Sequence, residues 1–234
     1  MSCETRHIMT ANDKKVRSIR SFVRRGGRIT SSQRKALENY WPVYGIDFIY
    51  ARPELPAGFE TAILEIGIGN GDALVAMAAA DPCSLYLGID VHEPGIGRCL
   101  NLIRQRQLAN VRLVMHDAIE VLEHMIAPGT LDRIMLFFPD PWHKKRHHKR
   151  RIVNQHFRDL AYRALTPAGV VHIATDWQDY AEWIAAQFLA DPRFVNLGDA
   201  SGFAERPDYR PETRFERRGR GLGHGVWDLL FARA

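Results

Sequence analysis

One carboxylate, Asp140, stands at the entrance to a strongly basic segment. The stretch FFPDPWHKKRHHKRR runs from Phe137 to Arg151, and six of its last nine residues are Lys or Arg. The prolines on either side of Asp140 hold φ at about −65° and restrict the residue between them to extended conformations. A tight turn after a strand would explain PDP alone. A fixed carboxylate beside many cations predicts more, namely that Asp140 lies at a reaction centre over which the cations hold an anionic polymer.

A glycine-rich loop supplies a second chemical motif, LEIGIGNGD, in which Gly67, Gly69 and Gly71 follow an apolar run. A strand, a glycine loop and a helix in succession allow the backbone to approach a ligand at the carboxyl edge of a sheet. A nicotinamide fingerprint needs a third glycine where this chain has Asp72, which argues against a dehydrogenase. The acid before the loop, Glu65, instead fits S-adenosylmethionine, whose sulfonium and α-amino group favour nearby carboxylates.

Two more acids follow the next two predicted strands. Asp90 is placed to accept the hydroxyls of a ribose, as in other mononucleotide halves of such sheets. Asp117 is placed to meet an adenine amino group, although capping of the helix that begins after it is a serious alternative. With Glu65, these acids occupy three successive strand ends, and together they predict a cofactor site.

The elements that position these residues alternate regularly. TAILEI, SLYLGIDV, VRLVMH, LDRIMLFFP and GVVHIAT are predicted strands, helical stretches follow them, and GVWDLLFARA closes the chain as a strand. Nearly continuous apolar strands alternating with helices predict an α/β fold with a doubly wound, mostly parallel sheet. Residues 1–55 are predicted to form a basic arm, mobile at its start and packed on the domain near Tyr40 and Trp41. Residues 56–234 are predicted to form that domain.

The positive charge is concentrated rather than large. The formal net charge is +5, and Lys and Arg gather in three runs, at Lys14–Leu37, His143–Arg151 and the ERRGRG stretch. One such run is usually a solvated face, but three runs favour a nucleic-acid partner.

Other features bound the location and the cofactors. Three cysteines at positions 3, 83 and 99 show neither disulfide nor zinc spacing, and the N-terminus lacks the apolar segment of a signal peptide. No apolar run approaches the ~18 residues of a membrane span. These features predict a cytoplasmic protein with no membrane association. The histidines of the basic segment have no acid or Cys at ligand spacing, so no metal is predicted.

Five segments in order, LEIGIGNGD, GIDVHEPGIG, FFPDPWHKKRHHKRRIV, ATDW and TRFERRG, resemble the bacterial tRNA (guanine-N7)-methyltransferases. RSFVRRGGRIT is similar to the N-terminal arm of the same family. The resemblance covers the chain from about residue 17 to its end, and PDPWHKKRHHKRR is its most specific part. It implies a seven-stranded, Rossmann-like class I methyltransferase sheet, S-adenosyl-L-methionine as the methyl donor, and methylation of N7 of a variable-loop guanine in tRNA.

The resemblance also assigns residues. Asp90 departs from it, because the family has Glu there. The acids and glycines of the cofactor side are Glu65, Gly67, Gly69, Asp90, Asp117 and Asp140, of which Asp140 is also the catalytic residue. The substrate side comprises Lys144, Asp176, Thr213, Arg214, Phe215 and Glu216. The residues implied in RNA contact are Arg146, His147, His148, Lys149, Arg150 and Arg151.

These residue types suit the implied chemistry. Guanine N7 has an in-plane lone pair and is unprotonated near neutral pH, so no general base is needed. The protein must align the reacting atoms at roughly 3–3.5 Å and stabilise a migrating cation. Asp140 is assigned that role, with Asp176 and Glu216 as acceptors for the N1–H and N2–H groups, although the three acids could exchange roles. Trp142 either stacks on the base or packs under the loop.

Two other functions are alternatives to this one. An exocyclic-amine methyltransferase has an Asn/Asp-Pro-Pro-aromatic loop after the fourth strand, and Asp140-Pro141-Trp142 lacks the second proline. An RNA-binding protein that had lost the reaction would show erosion of the glycine loop or of Asp140, and neither is eroded. The sequence leaves open a monomer or a homodimer.

Overall fold

The computed structural model describes residues 21–22, 27–213, 216–217 and 225–234. Seven strands form one sheet in the order β3-β2-β1-β4-β5-β7-β6. The strands are β1 Thr61–Ile66, β2 Ser84–Ile89, β3 Val111–Val114, β4 Leu131–Phe137, β5 Leu165–Thr175, β6 Phe194–Asn196 and β7 Trp227–Arg233. The helices are α1 Ser31–Tyr44, α2 Asp72–Ala80, α3 Glu93–Gln105, α4 Ala118–His124, α5 Gln155–Ala164 and α6 Gln178–Leu189, with a 3₁₀-helix at Lys145–Arg150.

The first five strands are parallel, and β7 runs antiparallel to both β5 and β6. The strand β2 is buried along its whole length, because helices cover both faces of a parallel sheet. The expected α/β fold with a mostly parallel seven-stranded sheet is therefore confirmed. The residues alone had not shown β6, since a three-residue strand at the sheet edge has no period to detect.

The strand order reverses between β1 and β4. Their neighbours in sequence lie on opposite sides of this pair, so the connections at the carboxyl ends of β1 and β4 diverge and leave a crevice there. Glu65 is the residue before the last in β1, and Asp140 lies three residues after the end of β4. The topology therefore brings the two acids predicted to be central to the same edge of the sheet.

The described part of the predicted arm is built into the domain. Thr30 caps α1 through a reciprocal pair of hydrogen bonds with Gln33. Ala36 is buried in the core, and the N–H of Ile46 donates to the carbonyl oxygen of Leu113 at 2.8 Å. A Cβ on Gly97 would lie 2.8 Å from the carbonyl oxygen of Gln33, so α1 and α3 are in close contact. The boundary at residue 55 stays a prediction, and most of the basic run before residue 27 lies outside the described residues.

Within the ranges given above, no helix combines the length and apolar character required to cross a membrane.

The glycine loop allows a test of close packing. Gly67 and Gly71 both have positive φ, 76° and 79°, but a Cβ on Gly67 would meet nothing within 4 Å, whereas one on Gly71 would lie 2.3 Å from Sγ of Cys99. Gly67→Ala should lower the free energy of unfolding by only the backbone term of about 1–2 kcal/mol. Gly71→Ala should lose about 1–3 kcal/mol more through overpacking. Urea unfolding without added ligand measures both, and equal losses would mean that Cys99 yields without cost.

Candidate active site

Two adjoining cavities lie at the carboxyl ends of β1 and β4. Their volumes are about 270 Å³ and about 240 Å³, and both are lined by Gly67, Phe137 and Phe138. Together they reach the size of a small-molecule site. The first cavity also contains Glu65, and the second contains Asp90 and Asp140. Glu65 of β1 and Asp90, which directly follows β2, therefore border the same cleft as Asp140, formed by these two adjoining cavities.

Glu65 is the most strongly perturbed acid of this cleft. Its side chain is buried, and its Oε2 has no hydrogen-bond partner among the described residues. Burial, with a smaller contribution from the charge of Asp90, raises the pKa of Glu65 from 4.5 to about 8. A buried carboxyl of this kind favours a ligand with a cationic or hydrogen-bond-donating group.

The glycine loop leaves room for a ligand. A Cβ on Gly67 or Gly69 would meet no protein atom within 4 Å, because both residues face the cleft. A Cβ on Gly95, in contrast, would lie 2.1 Å from the carbonyl oxygen of Gly69, so the loop is held against the start of α3. The open cleft over two glycines and the unpaired oxygen of Glu65 fit a bound nucleoside-type cofactor.

Asp90 shapes the loop and faces the second cavity. Its Oδ2 accepts from the N–H of Gly69 at 2.8 Å, and its Oδ1 accepts from the N–H of His92 at 2.9 Å. Burial raises the pKa of Asp90, although the backbone hydrogen bonds oppose that effect. A carboxylate has about four lone-pair sites, more than these backbone hydrogen bonds occupy. The predicted acceptance of ribose hydroxyls is compatible with this arrangement.

Asp117 is engaged in helix capping. Its side chain accepts from the N–H of Ile119 at 2.9 Å and caps α4. The second cavity is lined by its two neighbours, His116 and Ala118. The capping alternative is therefore present in the structure, and a contact between Asp117 and an adenine stays a prediction.

Asp140 is exposed at the mouth of the second cavity. Phe138 and Trp142, which bracket the Pro-Asp-Pro sequence, both have positive φ, 53° and 48°. Left-handed conformations of bulky residues persist only where the surroundings impose them, and they cluster at functional sites. The N–H of Phe138 still donates to the carbonyl oxygen of Ala174 at 2.7 Å. The first residue of the turn that carries Asp140 is thus hydrogen-bonded to β5.

Trp142 packs within the protein. Its indole Nε1–H donates to the carbonyl oxygen of Ser21 at 3.3 Å, and the guanidinium of Arg150 lies 5.0 Å from the centre of its rings. The ring of His147 contacts it edge-on. Of the two alternatives left open by the sequence, these contacts favour packing under the loop.

The basic segment divides into exposed and buried residues. Lys144 precedes the 3₁₀-helix, and the exposed cations there are Lys144, Lys145, Arg146 and Lys149. His147, His148 and Arg150 are half-buried. These positions agree with a surface that receives a polyanion, although contact with RNA stays a prediction.

Arg151 differs from the exposed cations beside it. Only 1% of it is exposed, its Nε donates to the carbonyl oxygen of Pro141 at 2.9 Å, and its Nη2 donates to Asp179 at 2.7 Å. A guanidinium buried in this way is not presented to a phosphate. The spacing of a basic run could not reveal this, because neighbouring arginines read alike in a sequence.

The substrate-side residues are only partly together. Thr213 lines the first cavity with Pro211 and Glu212, whereas Asp176 lies half-buried directly after β5. Arg214 and Phe215 lie outside the described residues.

Glu216 is 1% exposed. It pairs with Arg210 through bonds of 2.7 and 3.2 Å. Arg210 also donates to Asp228 at 2.9 Å. The predicted contact of Glu216 with guanine would therefore require this buried ion pair to open.

Several cleft residues were not among the predicted site residues. The aromatic pair Phe137 and Phe138 lines both cavities, and Ser21, Phe22 and Ile152 line the second. The aromatic pair was visible in the sequence as the end of an apolar strand, but its exposure to the cleft depends on the turn at Phe138. Nothing local in the sequence indicates that Phe22 reaches the site from a distance.

The part of the chain that the structure describes contains no group of three or more His, Cys, Asp or Glu side chains arranged to hold a metal ion.

Comparisons with known proteins agree with this geometry. A family model described as "Putative methyltransferase" matches residues 60–229. The fold is shared with an rRNA methylase from Streptococcus thermophilus, with a TM-score of 0.51 at 11% identity over 88% of this chain and 99% of that chain. The sheet order and the cleft at its reversal point thus define a class I methyltransferase fold.

Two curated relatives are much closer in sequence. A tRNA (guanine-N(7)-)-methyltransferase of Shewanella denitrificans is 48% identical over 236 residues, which cover 100% of this chain and 99% of the relative. Another from Serratia proteamaculans is 50% identical over 225 residues, 95% of this chain and 94% of the relative. The chain belongs to this methyltransferase family, which includes the tRNA (guanine-N(7)-)-methyltransferases, as the resemblance indicated.

The pKa of Glu65 gives a test in stability. Between pH 4.5 and about 8 the folded protein retains a proton that the unfolded chain releases, so this group lowers stability as pH rises through that window. Glu65→Gln removes this titration. The stability of the variant, relative to that of the unmodified protein, should therefore be higher at pH 8.5 than at pH 5 by up to about 4 kcal/mol. Urea unfolding at both pH values measures the difference.

The control is Glu60→Gln, which changes an exposed acid directly before β1. It should alter stability little at either pH. A Glu65→Gln effect that is the same at pH 5 and pH 8.5 would contradict the burial of an acid with a raised pKa.

Proposed function

We propose that this protein transfers the methyl group of S-adenosyl-L-methionine to N7 of a guanine in the variable loop of tRNA. The observation that carries the proposal is the identity of about half of all residues, over nearly the full chain, to relatives named tRNA (guanine-N(7)-)-methyltransferase. The cleft adds independent support, because its acids suit a cationic methyl donor.

The donor would supply an electrophilic methyl group on a sulfonium sulfur. Glu65 would bind its α-amino group, since that carboxyl is buried and has an oxygen without a partner among the described residues. Asp90 would accept from the ribose hydroxyls, because it lines the second cavity. Phe137 and Phe138, which line both cavities, would lie against the part of the ligand between its two ends and exclude water from it.

Asp140 would act on the guanine side of the cleft. Guanine N7 attacks through a lone pair that carries no proton, so Asp140 has no proton to remove. Its exposed carboxylate at the cavity mouth would instead stabilise the positive charge as it develops on the purine. Asp176, directly after β5, would accept hydrogen bonds from the N–H groups on the edge of the guanine. Thr213 would form part of the wall of the first cavity.

The exposed cations of the 3₁₀-helix would bind the phosphates of the tRNA. Such contacts position a nucleic acid without reading its sequence. The choice of one guanine would then depend on the shape of the RNA and on a base that is free to leave its stack. The proposed place of the reaction is the cytoplasm.

The reaction is tested by nucleoside analysis. Unmodified tRNA treated with the protein and labelled S-adenosyl-L-methionine should yield 7-methylguanosine from the variable loop. Label on an exocyclic amine would instead favour the alternative methyltransferase. Asp140→Ala should lower turnover by at least about 10²-fold, while the affinity for tRNA, measured by filter binding, stays within about twofold. Turnover close to that of the unmodified protein would contradict the assignment of Asp140.

Cofactor binding should also release a proton. At pH 7 most of the Glu65 carboxyl is protonated in the free protein, because its pKa is raised to about 8 by burial. A bound α-ammonium group would favour the ionised form and lower that pKa. Calorimetry at pH 7 in buffers of different ionisation enthalpy should therefore detect up to about one released proton. Glu65→Gln should lose that release, and buffer-independent binding by the unmodified protein would contradict the role.

A further inference from the structure

We propose that Arg151 is a positioning residue, which holds the turn bearing Asp140 in place, and that it does not contact tRNA. The inference rests on the proposed function, because it assigns Asp140 to the reaction. It separates Arg151 from the exposed cations beside it and gives one member of the basic segment a different task.

The first observation is the contact between Arg151 and the Asp140 turn. The guanidinium is 1% exposed, and its Nε donates at 2.9 Å to the carbonyl oxygen of Pro141, the residue after Asp140. A hydrogen bond from a charged donor is roughly twice as strong as a neutral one. Neither Pro139 nor Pro141 has an N–H, so at these two residues the backbone can be hydrogen-bonded only through its carbonyl groups. Arg151 supplies a donor to one of them.

The second observation is the attachment of the same guanidinium to α6. Its Nη2 donates to Asp179 at 2.7 Å, and its Cζ lies 4.7 Å from the ring centre of Tyr180 and 5.3 Å from that of Trp183. Both rings belong to α6, which begins two residues after Asp176. Arg151 therefore joins the turn after β4 to the start of α6, the two places that carry Asp140 and Asp176.

Tyr180 indicates that the clamp, by which we mean the contacts of Arg151 with Pro141 and α6, lies close to Asp140. Burial raises the pKa of its phenol, and the charge of Asp140 adds to that shift. The Tyr180 ring thus lies under Arg151 and within electrostatic reach of Asp140. A planar guanidinium can donate in two directions and stack on a ring at the same time, whereas a lysine ammonium cannot.

Arg150 offers a matched contrast one residue away. It is half-buried and lies over Trp142, and no acid among the described residues forms an ion pair with it, so its charge remains suited to a phosphate. We therefore expect different effects from the two adjacent arginines. Replacement of Arg151 should change turnover, and replacement of Arg150 should change the salt dependence of tRNA binding.

The experiment compares Arg151→Lys and Arg151→Ala with Arg150→Ala in the full-length protein. Arg151→Lys should lower kcat by about 10-fold or more, because the turn that bears Asp140 loses its guanidinium contacts. Arg151→Ala should leave the slope of log K against log salt for tRNA binding unchanged, whereas Arg150→Ala should reduce that slope by about 1, the value for one lost phosphate contact. A slope reduced by about 1 in Arg151→Ala, or an unchanged kcat in Arg151→Lys, would overturn the proposal.

Asp179→Asn provides a second variant if Arg151→Lys fails to fold. Asp179 is mostly exposed, so its replacement leaves no buried charge and keeps the fold, but it removes one anchor of the guanidinium. It should lower kcat with the salt slope unchanged. Full turnover in Asp179→Asn would count against the clamp.

Hydrogen exchange separates this inference from the proposed function. Peptides that span residues 137–145 should exchange faster in Arg151→Lys than in the unmodified protein, whether or not any substrate is methylated. Faster exchange without 7-methylguanosine formation by the unmodified protein would reject the proposed function and keep the clamp. Unchanged exchange in Arg151→Lys, together with normal methylation by the unmodified protein, would reject the clamp and keep the proposed function.

Discussion

The parallel pairing of β1 with β4 is the constraint on which the site depends. Their register, from Ile63 opposite Arg133 to Ile66 opposite Leu136, places the ends of both strands at the same level. Since the chain leaves these two ends in different directions, a crevice opens between them. Glu65 is buried beneath it and Asp140 stands at its rim. If this register slipped by one residue, Glu65 would point to the opposite face of the sheet.

The two acids differ in environment, and that difference divides their tasks. Glu65 is buried and one of its oxygens has no partner within the described part of the chain, which makes the uncharged form favourable until a cation arrives. Asp140 is exposed and lies next to a segment rich in cations. A desolvated acid suits the binding of a charged ligand, and a solvated carboxylate at the rim suits the stabilisation of charge that develops during a reaction. Glu65 thus suits the part of the cleft that would bind the cationic donor, and Asp140 suits the rim at which the guanine would react.

Polar residues that serve the architecture account for the differences between the sequence analysis and the structure. Asp117 caps a helix, Arg151 holds a turn, and Glu216 pairs with Arg210 inside the protein. Each has a side chain that could equally contact a ligand. A sequence reports the type of a residue and its neighbours along the chain, but a cap, a clamp and a ligand contact differ only in what lies across space.

The sequence by itself determined the strand and helix order, the glycine loop, the acids at the strand ends and the family. These features rest on local periodicity, on backbone preferences and on motifs of adjacent residues, which a chain displays without folding. Only the tertiary structure decided which basic residues face solvent, that Phe22 of the N-terminal region lines the cleft, and that a short strand Phe194–Asn196 completes the sheet. Burial and contact between distant residues arise from packing, and no single stretch of the chain contains them.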